Sequence, residues 1–142
     1  MKRILATFPF FLSVAPFAAP LASAASLELT VTNVESASGD LRVAVFGSEE
    51  GWSGNEAITG QQVAAGEGAV TLTIPDLAPG EIGIKLYHDV DGDGELATGT
   101  FGMPSEPYGF SNDAPVRFGP PSWSKAKITI TEGANTHSIS LR

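Results

Sequence analysis

From residue 27 onward, apolar and polar residues alternate in short runs, and no stretch keeps the i, i+3, i+4, i+7 spacing of a helix for three turns. A strand turns successive side chains to opposite faces, so this pattern builds sheets with one dry and one wet face. Leu27, Leu29 and Val31 are the dry side of a first strand, Leu41, Val43 and Val45 of a second, Val70, Leu72 and Ile74 of a third. Ile82, Ile84 and Leu86 face inward on a fourth that runs to His88. Arg117 to Gly119 reads as a brief strand, Lys125 to Thr131 as a clear one with Ile128 and Ile130 inward, and His137 to Leu141 closes the set with Ile139 and Leu141 inward. Turn residues punctuate them: Ser36 to Asp40, and Pro75 to Glu81, where proline presets one dihedral and glycine permits the next. Asn55 to Gly68 reads as a connection. The expected fold is all-β, an antiparallel two-layer sandwich of about seven strands. Trp52 and Trp123 lie outside the alternating runs and are expected to plug the ends of the sandwich.

The N-terminal segment follows a different plan. Lys2 and Arg3 precede an apolar run from Ile4 to Leu12, and Ala22-Ser23-Ala24 offers the small side chains that signal peptidase requires. Pro9, Pro16 and Pro20 interrupt the hydrogen bonding that a spanning helix needs. Residues 1–24 are therefore read as a cleaved signal peptide, with the mature chain starting at Ala25 or Ser26, one β-sandwich domain over residues 25–142, and no membrane span after cleavage. The expected location is the periplasm or the cell exterior.

Cleavage removes two basic residues and no acidic one, leaving six against sixteen and a net charge of minus ten. Such a surface repels phosphate backbones and anionic lipid, which excludes nucleic acid as a partner and favours cations. With no cysteine there is no disulfide, thiolate nucleophile or cysteine metal site, and an exported domain without disulfides points to a bacterial source.

The sharpest chemical feature is Asp89-Val90-Asp91-Gly92-Asp93-Gly94-Glu95. Carboxylates at alternate positions with glycines between them let a short loop converge several oxygens on one point, as calcium demands. Asp89, Asp91 and Asp93 match positions one, three and five of the helix-loop-helix calcium loop, Gly94 matches its sharp-turn glycine, and Glu95 offers a backbone carbonyl. The match fails at Ala97 and Thr100, where positions nine and twelve need ligands, so another ligand must come from elsewhere, with Glu106 the nearest candidate. Aspartate and glycine are also ordinary turn formers, and the competing reading is a solvated acidic turn.

No recognisable catalytic centre is present. His88 and His137 are the only histidines and form no HxH or HExxH pair, and neither a GxSxG elbow nor a phosphate-cradling glycine loop occurs. His88 shares the parity of Ile84 and Leu86, which makes it a hydrogen-bonded residue at the end of a buried face. A small carboxylate-dependent hydrolase built on Glu106 and Asp113 is the alternative from another class. A third is a structural or adhesive module that binds no metal. Between Asp89 and Pro115 the chain is irregular and rich in Gly, Pro and aromatics, the composition of a loop that caps a core or takes a protein or carbohydrate ligand.

His88-Asp89-Val90-Asp91-Gly92-Asp93-Gly94, Gly102-Met103-Pro104-Ser105-Glu106-Pro107-Tyr108-Gly109-Phe110-Ser111, Phe118-Gly119-Pro120-Pro121 and Ala126 resemble the signature of the bacterial exported family catalogued as domain of unknown function 2141. The resemblance runs from Leu27 to about Leu141, and the segment Glu106 to Ser111 is its most specific part. It implies a secreted sandwich of immunoglobulin-like or transthyretin-like kind without an established activity. Ala97 departs from the family pattern, which often has Asp near that position.

Overall fold

The computed structural model describes residues 23–142, so the signal peptide expected over residues 1–24 lies, except for its last two positions, outside the described residues. The elements in order are β1 (Ala25–Val34), β2 (Asp40–Phe46), helix α1 (Glu49–Gly54), β3 (Thr59–Ala64), β4 (Gly68–Leu77), β5 (Gly80–Asp89), β6 (Tyr108–Phe110), helix α2 (Trp123–Ala126), β7 (Ile128–Ile130) and β8 (Gly133–Ser140). They form a three-stranded sheet, β4-β1-β8, and a five-stranded one, β3-β2-β5-β6 with β7 pairing the start of β5. The fold is the expected all-β sandwich.

The inward sets predicted by alternation meet between the sheets. Leu27, Leu29 and Val31 of β1, Leu72 and Ile74 of β4 and Ile139 of β8 pack against Leu41, Val43 and Val45 of β2 and Ile82, Ile84 and Leu86 of β5. All are buried. His88 ends this face as expected: Nε2 lies 2.6 Å from the Ser38 carbonyl. A carbonyl only accepts, so Nε2 carries the hydrogen. Nδ1 is buried with no partner.

Every paired ladder is antiparallel except one, in which β1 and β8 run parallel from Ala25↔Gly133 to Thr32↔Ser140. No local signal announces that pairing. Parity along β1 also breaks at Asn33, which has φ +59 and whose Nδ2 donates to the Leu141 carbonyl, so Val34 rather than Asn33 turns inward. Pro75, expected to end the third strand, lies inside β4. Because β4 is at a sheet edge, the missing N–H of proline breaks no central ladder.

Further expectations are corrected. Asn55 to Gly68 contains β3, an edge strand in which only alternate residues are half-buried, so its sequence carries little apolar signal. Arg117 to Gly119 forms no strand, and Phe118 there is fully exposed. Lys125 to Thr131 divides into the end of α2 and the short β7, because Trp123 and Ala126, three apart, bury one side of a helical turn.

The tryptophans do not plug the ends of the sandwich. They cover the outer face of the five-stranded sheet, where a second apolar cluster joins Phe46, Trp52, Phe110, Ala114, Trp123 and Ala126. The site is made by Gly83, which points away from the main core: a Cβ there would sit 2.8 Å from the Trp52 ring and 3.0 Å from that of Trp123. Trp52 also donates from Nε1 to the Pro121 carbonyl at 2.9 Å, which fixes α1 against the loop before α2. Among the described residues no helix is long and apolar enough to cross a membrane.

Candidate metal centre

The acidic loop leaves the sheet where β5 ends. Asp89 lies on the outer face, diagonal to Arg42, because Leu41 stands opposite His88 and Arg42 opposite Tyr87. Its Oδ2 accepts from Arg42 Nε at 2.6 Å and from Gly94 N at 2.9 Å. Gly39, with φ +69, lets the turn before β2 close over the same point: a Cβ would lie 1.9 Å from the Asp89 carbonyl oxygen. Any other residue would push the loop outward.

Beyond Asp89 the chain curls through two successive Asx turns. Asp91 Oδ1 accepts from Asp93 N at 3.1 Å, and Asp93 Oδ1 accepts from Glu95 N at 2.8 Å. Gly92 and Gly94 have φ of +72 and +83, which the curl requires. The Tyr87 hydroxyl donates to the Gly94 carbonyl at 2.9 Å and holds the loop to the sheet.

Glu106 straps the loop from the other side. Its Oε1 accepts from Val90 N at 2.9 Å and its Oε2 from Ala97 N at 3.0 Å, so one buried carboxylate spans both limbs. Its own segment is held by His88 N, which donates to the Pro107 carbonyl at 2.8 Å.

Asp89, Asp91 and Glu106 each offer a carboxylate oxygen within 4.8 Å of the others. Asp93 is not in this group, its carboxylate being turned to Glu95 N, and Glu95 brings no side chain to it. Glu106 thus brings a third carboxylate, from outside the Asp89 to Glu95 loop, beside those of Asp89 and Asp91. Asp89 is wholly buried, and its Oδ1 has no hydrogen-bond partner. Three carboxylates against the one guanidinium of Arg42 leave the cluster two charges negative.

The carboxyls respond in opposite directions. Burial pushes Asp89 up, but the Arg42 hydrogen bond, the Gly94 N–H and the Arg42 charge together hold it below its ordinary value. The Asp93 N–H pulls Asp91 down, yet desolvation and the charges of Asp93 and Glu106 outweigh it and raise Asp91. Arg42 is raised in turn, chiefly by its hydrogen bond to Asp89. Sequence reading missed Arg42. Its signal is a basic residue on the outward parity of β2, in a chain with few of them.

The other candidate carboxylate pair is occupied differently. Asp113 Oδ1 accepts from Ser140 N at 2.8 Å, far along the chain from the two N–H groups that Glu106 binds.

The segment after Glu106 is built into the sheet. Tyr108 to Phe110 pairs with Lys85 to Tyr87, a Cβ on Gly109 would lie 2.7 Å from Ile139, and Ser111 Oγ accepts from Ile84 N while donating to the Ala126 carbonyl. A family model described as "Uncharacterized protein conserved in bacteria (DUF2141)" matches residues 29–138. The chain belongs to the DUF2141 family. That match spans β1 to β8, so the acidic loop, the Glu106 strap and the Tyr108–Phe110 strand all fall within the DUF2141 domain. No curated protein and no solved structure matches the chain.

Proposed function

We propose that this DUF2141 protein is an exported, non-catalytic domain whose acidic loop binds calcium through Asp89, Asp91 and Glu106. One observation carries the reading: the buried Oδ1 of Asp89 has no partner beside two further carboxylates. A buried unpartnered carboxylate oxygen is costly, and a cation is what would satisfy it. The charge agrees, since a divalent ion cancels the two negative charges left over after Arg42. The donors are hard oxygens on a glycine-bearing loop, which suits calcium better than zinc. Backbone carbonyls and water would complete its six to eight ligands. Export rests on the N-terminal charge, apolar run and small-residue plan.

The competing reading, an acidic turn that binds nothing, draws on the backbone N–H groups that Asp89 Oδ2, Asp91, Asp93 and Glu106 already accept. It draws also on a proton held by Asp91, whose carboxyl is raised in part by its hydrogen bond to Asp89; that proton would serve Oδ1 instead of a cation. Calorimetric titration of chelator-treated protein decides between them. Calcium should bind with one-site stoichiometry and magnesium much more weakly, because magnesium demands tighter octahedral geometry and keeps its water. Absence of heat with calcium at millimolar concentration, together with equal melting temperatures in calcium and in chelator at matched ionic strength, overturns the calcium reading.

A further inference from the structure

The cluster around Trp52 and Trp123 covers only part of the outer face of the five-stranded sheet. Beside it runs a groove of about 650 Å³, floored by Ala44, Phe46, Lys85, Tyr87, Tyr108 and Phe110. Two loops form its walls, one through Leu96, Thr98 and Pro104, the other through Val116, Gly119 and Pro120. The volume lies in the range of small-molecule sites, and the walls and most of the floor are apolar. The same loops carry Phe101, Met103 and Phe118, which are 97%, 63% and 107% exposed. Large apolar side chains left in water beside an apolar groove mark a place where something apolar docks.

One polar feature on the floor is unusual. The Lys85 ammonium lies 4.5 Å from the centroid of the Phe46 ring and 4.6 Å from that of Trp52. It donates to the Trp52 carbonyl at 2.8 Å and to Asn55 Oδ1 at 3.2 Å. No carboxylate pairs with it: among the described residues the ion pairs are Arg42–Asp89 and Lys127–Glu81. An ammonium has three N–H donors, so one is left over. Burial lowers the Lys85 pKa, the mark of a cation whose lost hydration is not replaced by an anion. At the other end of the groove Arg42 is already neutralised by Asp89, and the exposed Glu95 disfavours a second anionic group there. In a strongly acidic chain, the groove keeps one uncompensated positive charge on an apolar floor.

We propose that this groove binds a monocarboxylate with an apolar body, its carboxylate on Lys85 and its hydrocarbon along Tyr108 and Phe110 between the two loops. A single ammonium with one free donor suits one carboxylate better than a dianionic phosphate. The sparse polar lining suits hydrocarbon better than a sugar, whose hydroxyls would need many partners. The acidic loop borders the far end of the groove through Gly94 and Glu95, but the carboxylate position at Lys85 shares no residue with the Asp89, Asp91 and Glu106 cluster.

Octanoate, 1-octanol and octylammonium are the probes, titrated calorimetrically into the purified protein. Octanoate should bind with a Kd below about 1 mM, as about 10 heavy atoms in an apolar site allow. It should bind about 10- to 100-fold tighter than 1-octanol, the contribution of a charge-assisted hydrogen bond. Octylammonium should not bind. Lys85→Met keeps the packing on Phe46 and Trp52 and should bring octanoate down to the affinity of 1-octanol. Ala44→Phe removes no existing contact, fills the floor and should abolish binding of both, so the groove remains testable if Lys85→Met fails to fold. Equal affinities for octanoate and 1-octanol, no binding of octanoate at 10 mM, or octanoate binding unchanged in Ala44→Phe would each overturn the proposal.

Discussion

Replacing Glu106 by glutamine removes one negative oxygen and changes almost nothing else in size or shape. In the parent, Oε1 and Oε2 each accept one backbone N–H, from Val90 and Ala97. The glutamine amide has one acceptor oxygen, so its NH2 must face one of those N–H groups donor to donor. The variant loses a hydrogen bond to a charged group, about 1.5–3 kcal/mol, and leaves a partly buried donor unsatisfied. We expect a total loss of about 2–4 kcal/mol, measured in chelator so that no cation contributes. With a urea m-value of about 1.5 kcal/mol per molar, the unfolding midpoint should fall by about 1.3–2.7 M. Circular dichroism against urea reads this directly, and Glu106→Asp, too short to span both limbs, should fall in the same direction. A midpoint within about 0.3 M of the parent would refute the strap, and unchanged stability is what a carboxylate-dependent hydrolase using Glu106 predicts.

Asp91→Asn keeps the acceptor for Asp93 N and removes a carboxyl whose folded pKa is raised. Ionising such a group costs stability above its raised value, so in chelator the variant should be the more stable protein at pH 7. The difference should vanish below the ordinary carboxylate value of about 3.9, and in calcium the order should reverse; thermal melts across pH check all three. His137 Nε2 accepts from Asn112 N at 3.1 Å, and burial lowers its pKa against a smaller opposing pull from Asp113. Its contribution is full above the ordinary value of about 6.5 and is lost as pH falls through the lowered folded value, so His137→Gln should flatten the stability profile just below neutrality. Leu86→Ala, in the main core, should cost about 2–5 kcal/mol by urea denaturation. Protein recovered from outside the cytoplasm should begin at Ala25, because Ala25 is buried and paired with both Leu77 and Gly133, and cleavage one residue later would strip it from β1; N-terminal sequencing that finds Met1 would refute export.

The strands that are legible in the sequence are those whose dry face is continuous, such as Leu27-Leu29-Val31 and Ile82-Ile84-Leu86. β3 was hidden because an edge strand with Gln61 and Gln62 buries little. The helices were hidden because six and four residues are too few to establish a helical period. The acidic loop announced itself by composition, and Glu106 by closeness in sequence, but the Arg42 counter-charge depends on a cross-strand diagonal that only the β2–β5 register creates. The groove was invisible for a related reason. Ala44, Lys85 and Tyr108 stand on parities that alternation assigns to water, and only the two flanking loops turn that face into a cavity.

The parallel pairing of β1 with β8 bears on when the chain can fold. Asn33 reaches the Leu141 carbonyl across 108 residues, and β1 is the central strand of its sheet, with β8 along one whole side. Until Gly133 to Ser140 emerge from the ribosome, that side of β1 stays an open edge and the loop-closure entropy of about a hundred intervening residues remains unrecovered. Native structure of that sheet therefore waits for β8, and a nascent chain that lacks it holds one side of β1 unpaired. Truncation before Gly133 should leave a sticky, slow-proofreading intermediate with β1 exposed to foreign strands, rather than a smaller folded domain.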